Sequence, residues 1–83
     1  MPKIRGILER KEILPYLEAR GLLKQYKKAK DYLLSGHSLQ TKFKERNPQG
    51  SGVWYFRINK QFRALGTFED GGNLIVFKID NHQ

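Results

Sequence analysis

Apolar residues recur at helical spacing between Glu9 and Ser35 and alternate with polar ones beyond Gly36. The first stretch carries Ile13, Leu14 and Leu17, then Leu22, Leu23, Tyr26, Ala29, Leu33 and Leu34. Lys24, Lys27, Lys28, Lys30 and Asp31 fill the opposite side of the second group. Gly21 suits a break between two helices and Gly36 a C-terminal cap, because both places call for a residue tolerant of positive φ. Pro15 is disfavoured in a helix interior and marks a kink or a new start. The pattern predicts a helical hairpin over roughly 9–20 and 22–35. Residues 3–8 fit either a short edge strand or a first helical turn.

Up to four strands follow. Thr41 to Arg46 is the weakest candidate, and Asn47 to Gly52 is a loop rich in turn formers. Val53 to Ile58, Phe62 to Glu69 and Asn73 to Asp80 are rich in aromatic and β-branched residues. The expected fold is α+β: an N-terminal helical hairpin packed on a small twisted antiparallel sheet of three to four strands, forming one domain over 1–83.

A one-residue slip would exchange the faces of a strand, so the turns fix which residues are buried. A three-residue loop of Asn59, Lys60 and Gln61 pairs Ile58 with Phe62, Phe56 with Ala64 and Trp54 with Gly66. A two-residue loop would instead mix core and polar positions. Gly71-Gly72 reads as a two-residue turn, pairing Phe68 with Ile75, Gly66 with Phe77 and Ala64 with Ile79. Trp54, Phe56, Ile58, Phe62, Phe68, Ile75, Phe77 and Ile79 then share the face expected beneath the helices. Burying each large side chain is worth about 1.5–3 kcal/mol, which favours this register.

The same register assigns the other face to Val53, Tyr55, Arg57, Arg63, Leu65, Thr67, Leu74, Val76, Lys78, Asp80 and His82. Arg57 falls opposite Arg63, an unfavourable pairing unless an anion lies between them. Asp80 falls opposite Arg63 from the other side. Two accounts follow: Asp80 neutralises Arg63 in an ordinary cross-strand pair, or two arginines and Lys78 form an anion site with Tyr55 placed to stack a base.

Charge sharpens the second account. Sixteen Lys and Arg against eight Asp and Glu give +8 and a pI near 10.0. Twelve of the bases and five of the acids lie in residues 1–46, a net of +7. That excess implies a polyanionic or acidic partner. There is no cysteine, which excludes disulfides and thiolate metal sites, and two histidines argue against a histidine-built zinc site. No apolar run approaches the roughly 18–20 residues of a membrane span. No apolar segment of about 7–15 residues follows the amino terminus. The sequence therefore predicts a cytoplasmic protein with no membrane partner.

Gly52-Val53-Trp54-Tyr55-Phe56-Arg57-Ile58, then Phe62-Arg63-Ala64-Leu65, then Asn73 to Ile79 and His82, resemble the RelE/ParE superfamily of toxin–antitoxin toxins. The Gly-x-Trp-x-x-Arg-Ile segment, the hairpin arginine and the late histidine are most similar to its YoeB-like branch. The helical hairpin ending at Leu33-Leu34-Ser35-Gly36 has the matching length and position. The resemblance implies two helices on a twisted antiparallel sheet, a bacterial type II toxin, and a cognate acidic antitoxin whose extended segment masks the basic cleft in a hetero-oligomer. It implies one of two activities: ribosome-dependent cleavage of mRNA, or inhibition of gyrase without nuclease chemistry.

Carried over residue by residue, Arg63 matches the arginine that contacts the scissile phosphate, and His82 matches the late histidine. Arg57 stands where a basic residue is frequent, and Glu45 lies near a family acidic residue. Cleavage by the RNA's own 2′-hydroxyl needs a base, cations for the charged phosphorane and an acid for the leaving 5′-oxygen. Arg63 and Arg57 supply charge-assisted contacts to phosphate oxygens, and a histidine gives or takes a proton near neutral pH. The chemistry needs no metal and no cofactor. Lys42 and Lys44, alternating on one face of the weakest strand, are candidates for flanking phosphates, with Tyr55 and Lys78. Two departures stand out: lysines frequent in the strand held here by Trp54, Tyr55 and Phe56 are absent, and Gln83 replaces the tyrosine that follows the histidine. These leave open a metal-independent endoribonuclease, a non-catalytic module of the same fold that inhibits gyrase or binds an antitoxin, and a general nucleic-acid-binding domain. Among the remaining residues, His37 reads as a loop residue and Gly71-Gly72 as turn formers. The Lys24, Lys27, Lys28 and Lys30 run reads as a solvated face or a docking surface for RNA or acidic side chains.

Overall fold

Two glycines set where the main helices end. Gly21 (φ +68°) and Gly36 (φ +85°) are both in the left-handed region, which a Cβ disfavours. Each closes the same two-bond cap. After α1 (Ile13–Ala19), Leu22 N–H donates to the Leu17 carbonyl at 2.8 Å and Gly21 N–H to that of Glu18 at 3.1 Å. After α2 (Leu23–Leu34), His37 N–H donates to Tyr32 at 2.8 Å and Gly36 N–H to Leu33 at 3.2 Å. The expected hairpin forms, but α1 begins at Ile13 rather than near residue 9. Pro15 explains the start, since it sits in the first turn, where a backbone N–H has no helical partner.

The computed structural model describes residues 3–81, save the side chains of Ser38 and Leu39. After α2 come α3 (Ser38–Thr41) and the strands β2 (Lys44–Glu45), β3 (Val53–Arg57), β4 (Phe62–Phe68) and β5 (Asn73–Asn81). The undecided segment 3–8 contributes a strand: β1 (Gly6–Glu9) precedes the helices. The five strands form one sheet in the order β1-β5-β4-β3-β2, with β1 parallel to β5 and the other pairs antiparallel. The sheet is thus mixed and one strand larger than the upper expectation, because the undecided N-terminal segment pairs with the last strand. The weakest expected strand shrinks to two residues: Thr41 ends α3, and Lys42 turns the chain at φ +52°.

The first hairpin has the expected register, with Trp54 opposite Gly66, Phe56 opposite Ala64 and Arg57 opposite Arg63. Its loop closes through Ile58 N–H to the Phe62 carbonyl (2.9 Å), while the Asn59 side-chain oxygen accepts from Gln61 and Phe62 N–H at 2.8 Å each.

The second hairpin departs from expectation. Asp70, Gly71 and Gly72 make a three-residue loop, closed by Glu69 N–H to the Asn73 carbonyl at 2.9 Å. Phe68 therefore pairs with Leu74 and Gly66 with Val76, not with Ile75 and Phe77. A bulge at Leu65/Gly66 then absorbs Phe77 and restores Ala64 opposite Ile79. Leu74 and Val76 are consequently fully buried (0% exposed each), and Ile75 and Phe77 only partly. Because Leu74 to Phe77 is an unbroken apolar run, alternation carried no signal for its parity.

The core lies between the helices and one face of the sheet. Ile13, Leu17, Tyr26, Ala29 and Leu33 meet Ile7, Phe56, Ala64, Leu74, Val76 and Ile79. At the β2 end Phe43 stacks on Trp54 at 5.1 Å between ring centroids, and Phe68 meets both edge-on. Glu9 fastens β1 to α2, accepting from the Tyr26 hydroxyl at 2.7 Å and from the Lys30 ammonium at 2.8 Å. Burial, with the Glu9 carboxylate beside it, holds the Tyr26 phenol well above its ordinary pKa.

Candidate nucleic-acid interface

Residues paired across strands share a face, so the register sorts the side chains directed away from the helices. One row across the sheet reads Lys44, Tyr55, Leu65, Lys78; the next reads Arg57, Arg63, Asp80. Leu65 is 3% exposed although it points away from the helical layer, so this face has a small buried spot of its own.

Two cations lie near the Tyr55 ring. The Arg63 guanidinium carbon lies 4.8 Å from its ring centroid and the Lys44 nitrogen 6.0 Å. Such contacts are worth about 0.5–1 kcal/mol at exposed sites and hold the arginine's fork in place. Asp80 stands opposite Arg63 in register, yet among the described residues the one ion pair within 4.0 Å is Lys30–Glu9. Asp80 thus faces Arg63 without forming a contact ion pair with it. Arg57 also reaches a cleft of about 270 Å³ with Gln25, Lys28, Ala29, Tyr32, Gln40, Thr41 and Ile58.

Of the expected site residues, the fold brings Arg57, Arg63, Tyr55, Lys44 and Lys78 onto one face. Glu45 is not on it. It pairs with Trp54, so it points to the helical side, and its carboxylate accepts from Gly52 N–H at 3.1 Å. Lys42 lies in the left-handed turn outside β2, so the expected alternation with Lys44 does not form. Leu74 and Val76, expected on this face, are in the core instead. His82 lies outside the described residues. Sequence reasoning passed over Tyr32, which is 39% exposed and lines the cleft. Its signal was the i, i+4 spacing from Lys28 on an otherwise charged helix face. Among the described residues no group of three or more His, Asp or Glu is arranged to hold a metal ion. No helix among them is long and apolar enough to cross a membrane.

The layout is an α+β sandwich of two layers with a cationic outer sheet face. Among solved structures it is similar to YoeB in the YoeB–YefM complex from Staphylococcus aureus, with a TM-score of 0.65 and 17% identity over 93% of this chain and 95% of that one. The YoeB dimer from Staphylococcus aureus gives a TM-score of 0.67 and 16% identity over 98% of this chain and 99% of that one. The chain has a YoeB-like fold, as the resemblance of its sequence implied. No protein-family model matches the sequence, and no curated protein does.

Proposed function

We propose that this chain is the toxin of a toxin–antitoxin pair and cleaves mRNA on the ribosome through its outer sheet face. The observation that carries the reading is the opposition of Arg57 and Arg63, with no carboxylate within 4.0 Å of either guanidinium among the described residues. Two guanidiniums placed so repel one another and are suited to a phosphate between them. In the reaction the 2′-oxygen bonds to phosphorus and loses its proton to a base, while the bond to the 5′-oxygen breaks and that oxygen takes a proton. Arg57 and Arg63 stabilise the charge of the phosphorane, and Tyr55 stacks a neighbouring base. His82 is assigned the proton transfer.

One neighbour is a complex with YefM, which supports a cognate partner here. We assign it as an acidic antitoxin that covers the same cations, in a cytoplasmic hetero-oligomer. A second reading, a non-catalytic module of this fold that inhibits gyrase or only binds its antitoxin, draws on Glu45. With that carboxylate turned away, the outer face keeps one carboxylate, Asp80, among the described residues. Translating ribosomes incubated with the purified protein separate the two: the first reading expects cut mRNA, lost in Arg63→Ala, and uncut mRNA at every dose would overturn it.

A further inference from the structure

The cleft beside Arg57 has a lining that phosphate chemistry on the sheet face leaves unused. Its walls come from α2 (Gln25, Lys28, Tyr32), the end of α3 (Gln40) and β3 (Arg57). At about 270 Å³ it has room for a planar heterocycle, given that a liquid water takes about 30 Å³. It offers two cations, two primary amides and a phenol ring, and none of its lining residues carries a carboxylate. The carbonyl oxygen of Gln25 accepts from the Asn59 amide at 3.0 Å, which fixes that side chain and leaves its N–H groups as donors. Tyr32 has the Lys28 ammonium 5.9 Å from its centroid and the His37 ring edge-on at 6.0 Å. Lys28 and Tyr32 also border a second groove along α2 with Lys24, Lys27, Asp31, Ser35 and His37, three lysines against one carboxylate.

We infer that this cleft binds one nucleotide of the RNA strand next to the phosphate held by Arg63, stacking its base on Tyr32. The Gln25 and Gln40 amides meet the base edge, and Lys28 holds the flanking phosphate. A nucleotide engages all of these groups at once, whereas a carboxylate of a protein partner would engage the cations and leave the amides and the ring idle. Base–aromatic stacking beside a cationic track is the general solution for single strands. Arg57, at the end of β3, is the residue that the cleft lining and the outer row have in common. The inference rests on the proposal that the sheet face meets RNA.

The test titrates the isotope-labelled protein with a short oligoribonucleotide carrying 2′-deoxy sugars, so that it is not cut. Amide shifts at Tyr55 and Arg63 report the sheet face, and shifts at Gln25 and Gln40 report the cleft. Tyr32→Ala and Lys28→Ala, at exposed positions, are each expected to weaken binding about tenfold or more while the sheet-face shifts persist. Tyr32→Phe is expected to bind as the wild type. Unchanged affinity in Tyr32→Ala with sheet-face shifts intact would overturn the cleft assignment and spare the functional reading. An absence of shifts anywhere would overturn both. If inorganic phosphate or polyglutamate reproduces the Gln25 and Gln40 shifts as strongly as the oligonucleotide, the cleft is a general anion site and the nucleotide assignment falls.

Discussion

Arg57 and Arg63 face each other directly on β3 and β4. Neither has a carboxylate within 4.0 Å among the described residues. The free protein carries this juxtaposition as a cost, since like charges opposite on a sheet are destabilising by about 0.2–1 kcal/mol. Arg63 recovers part of it on the Tyr55 ring, whereas Arg57 has no such contact among the described ones. Arg57→Gln is therefore expected to raise stability by a few tenths of a kcal/mol, about the low end of that range, in low salt. The gain should vanish near 1 M salt, where screening acts within about 3 Å. Urea titrations at the two salt levels measure it. A variant that is destabilised in low salt would show that Arg57 is a structural residue.

The Tyr26–Glu9 hydrogen bond gives a dependence on pH with a defined sign. The phenol's pKa is raised in the fold by burial and by Glu9, from an ordinary value of 10.0. Below about pH 10 it is protonated folded or unfolded, and the bond contributes fully. Above that, unfolding releases a proton, so stability falls as pH rises. Tyr26→Phe is expected to be about 1–2 kcal/mol less stable at pH 7, because the bond is to a charged acceptor. The gap should narrow above pH 10. Equilibrium unfolding of both proteins across pH 7 to 11 checks this, and a constant gap would contradict it.

What the sequence disclosed followed from how local each cause is. Gly21, Gly36 and the Asn59 turn act within a few residues, so both helix ends and the first hairpin were legible. β1 was not, because Gly6 to Glu9 has a strand's identity only once β5 lies beside it, more than sixty positions away. The second hairpin failed for another reason: its loop takes Asp70 with the two glycines, and four consecutive apolar residues after Asn73 gave no parity to correct the error. Most of the outer face survived that slip: Tyr55, Arg57 and Arg63 lie on the hairpin whose register was secure, and the bulge at Leu65/Gly66 returns Lys78 and Asp80 to their expected side. Glu45 had no face assigned to it in the sequence, because a two-residue strand supplies almost no pattern.

Gly66 holds the corrected register in place. A Cβ built there would lie 2.8 Å from the Ile75 carbonyl oxygen and 3.0 Å from Leu74 Cγ. The first of these is backbone and cannot swing away. Gly66→Ala is expected to cost about 1–3 kcal/mol, as overpacking does. Gly66→Ala with Leu74→Ala should not recover the loss, since the carbonyl contact remains. Recovery in denaturant melts would mean that the side chain alone sets the fit.

Binding of RNA to the outer face should be steeply dependent on salt. Each phosphate contact to a single strand contributes about 0.7 to the slope of log K against log salt. Arg57, Arg63, Lys44 and Lys78 together allow a slope near 3 on that basis. Arg63→Ala and Lys44→Ala are each expected to lower it by about 0.7, and Lys42→Ala, outside the row, by less. Equal slopes in all three variants would place the RNA elsewhere.

Glu45 discriminates between a carboxylate base and the arrangement proposed. Its side chain is directed to the helical side of β2 and accepts from Gly52 N–H at 3.1 Å. A glutamine keeps a carbonyl oxygen at the same reach and so preserves that bond, but it has no lone carboxylate to take a proton. Glu45→Gln is therefore expected to cleave mRNA within about threefold of the wild type, whereas loss of an essential proton-transfer group costs about 10²–10⁴-fold. Arg63→Ala, which removes a cation from the phosphate, should fall near the lower end of that larger range in the same assay. A Glu45→Gln protein that folds normally and has lost cleavage as completely as Arg63→Ala would require the β2 edge to turn over when RNA binds, and the base would then be Glu45.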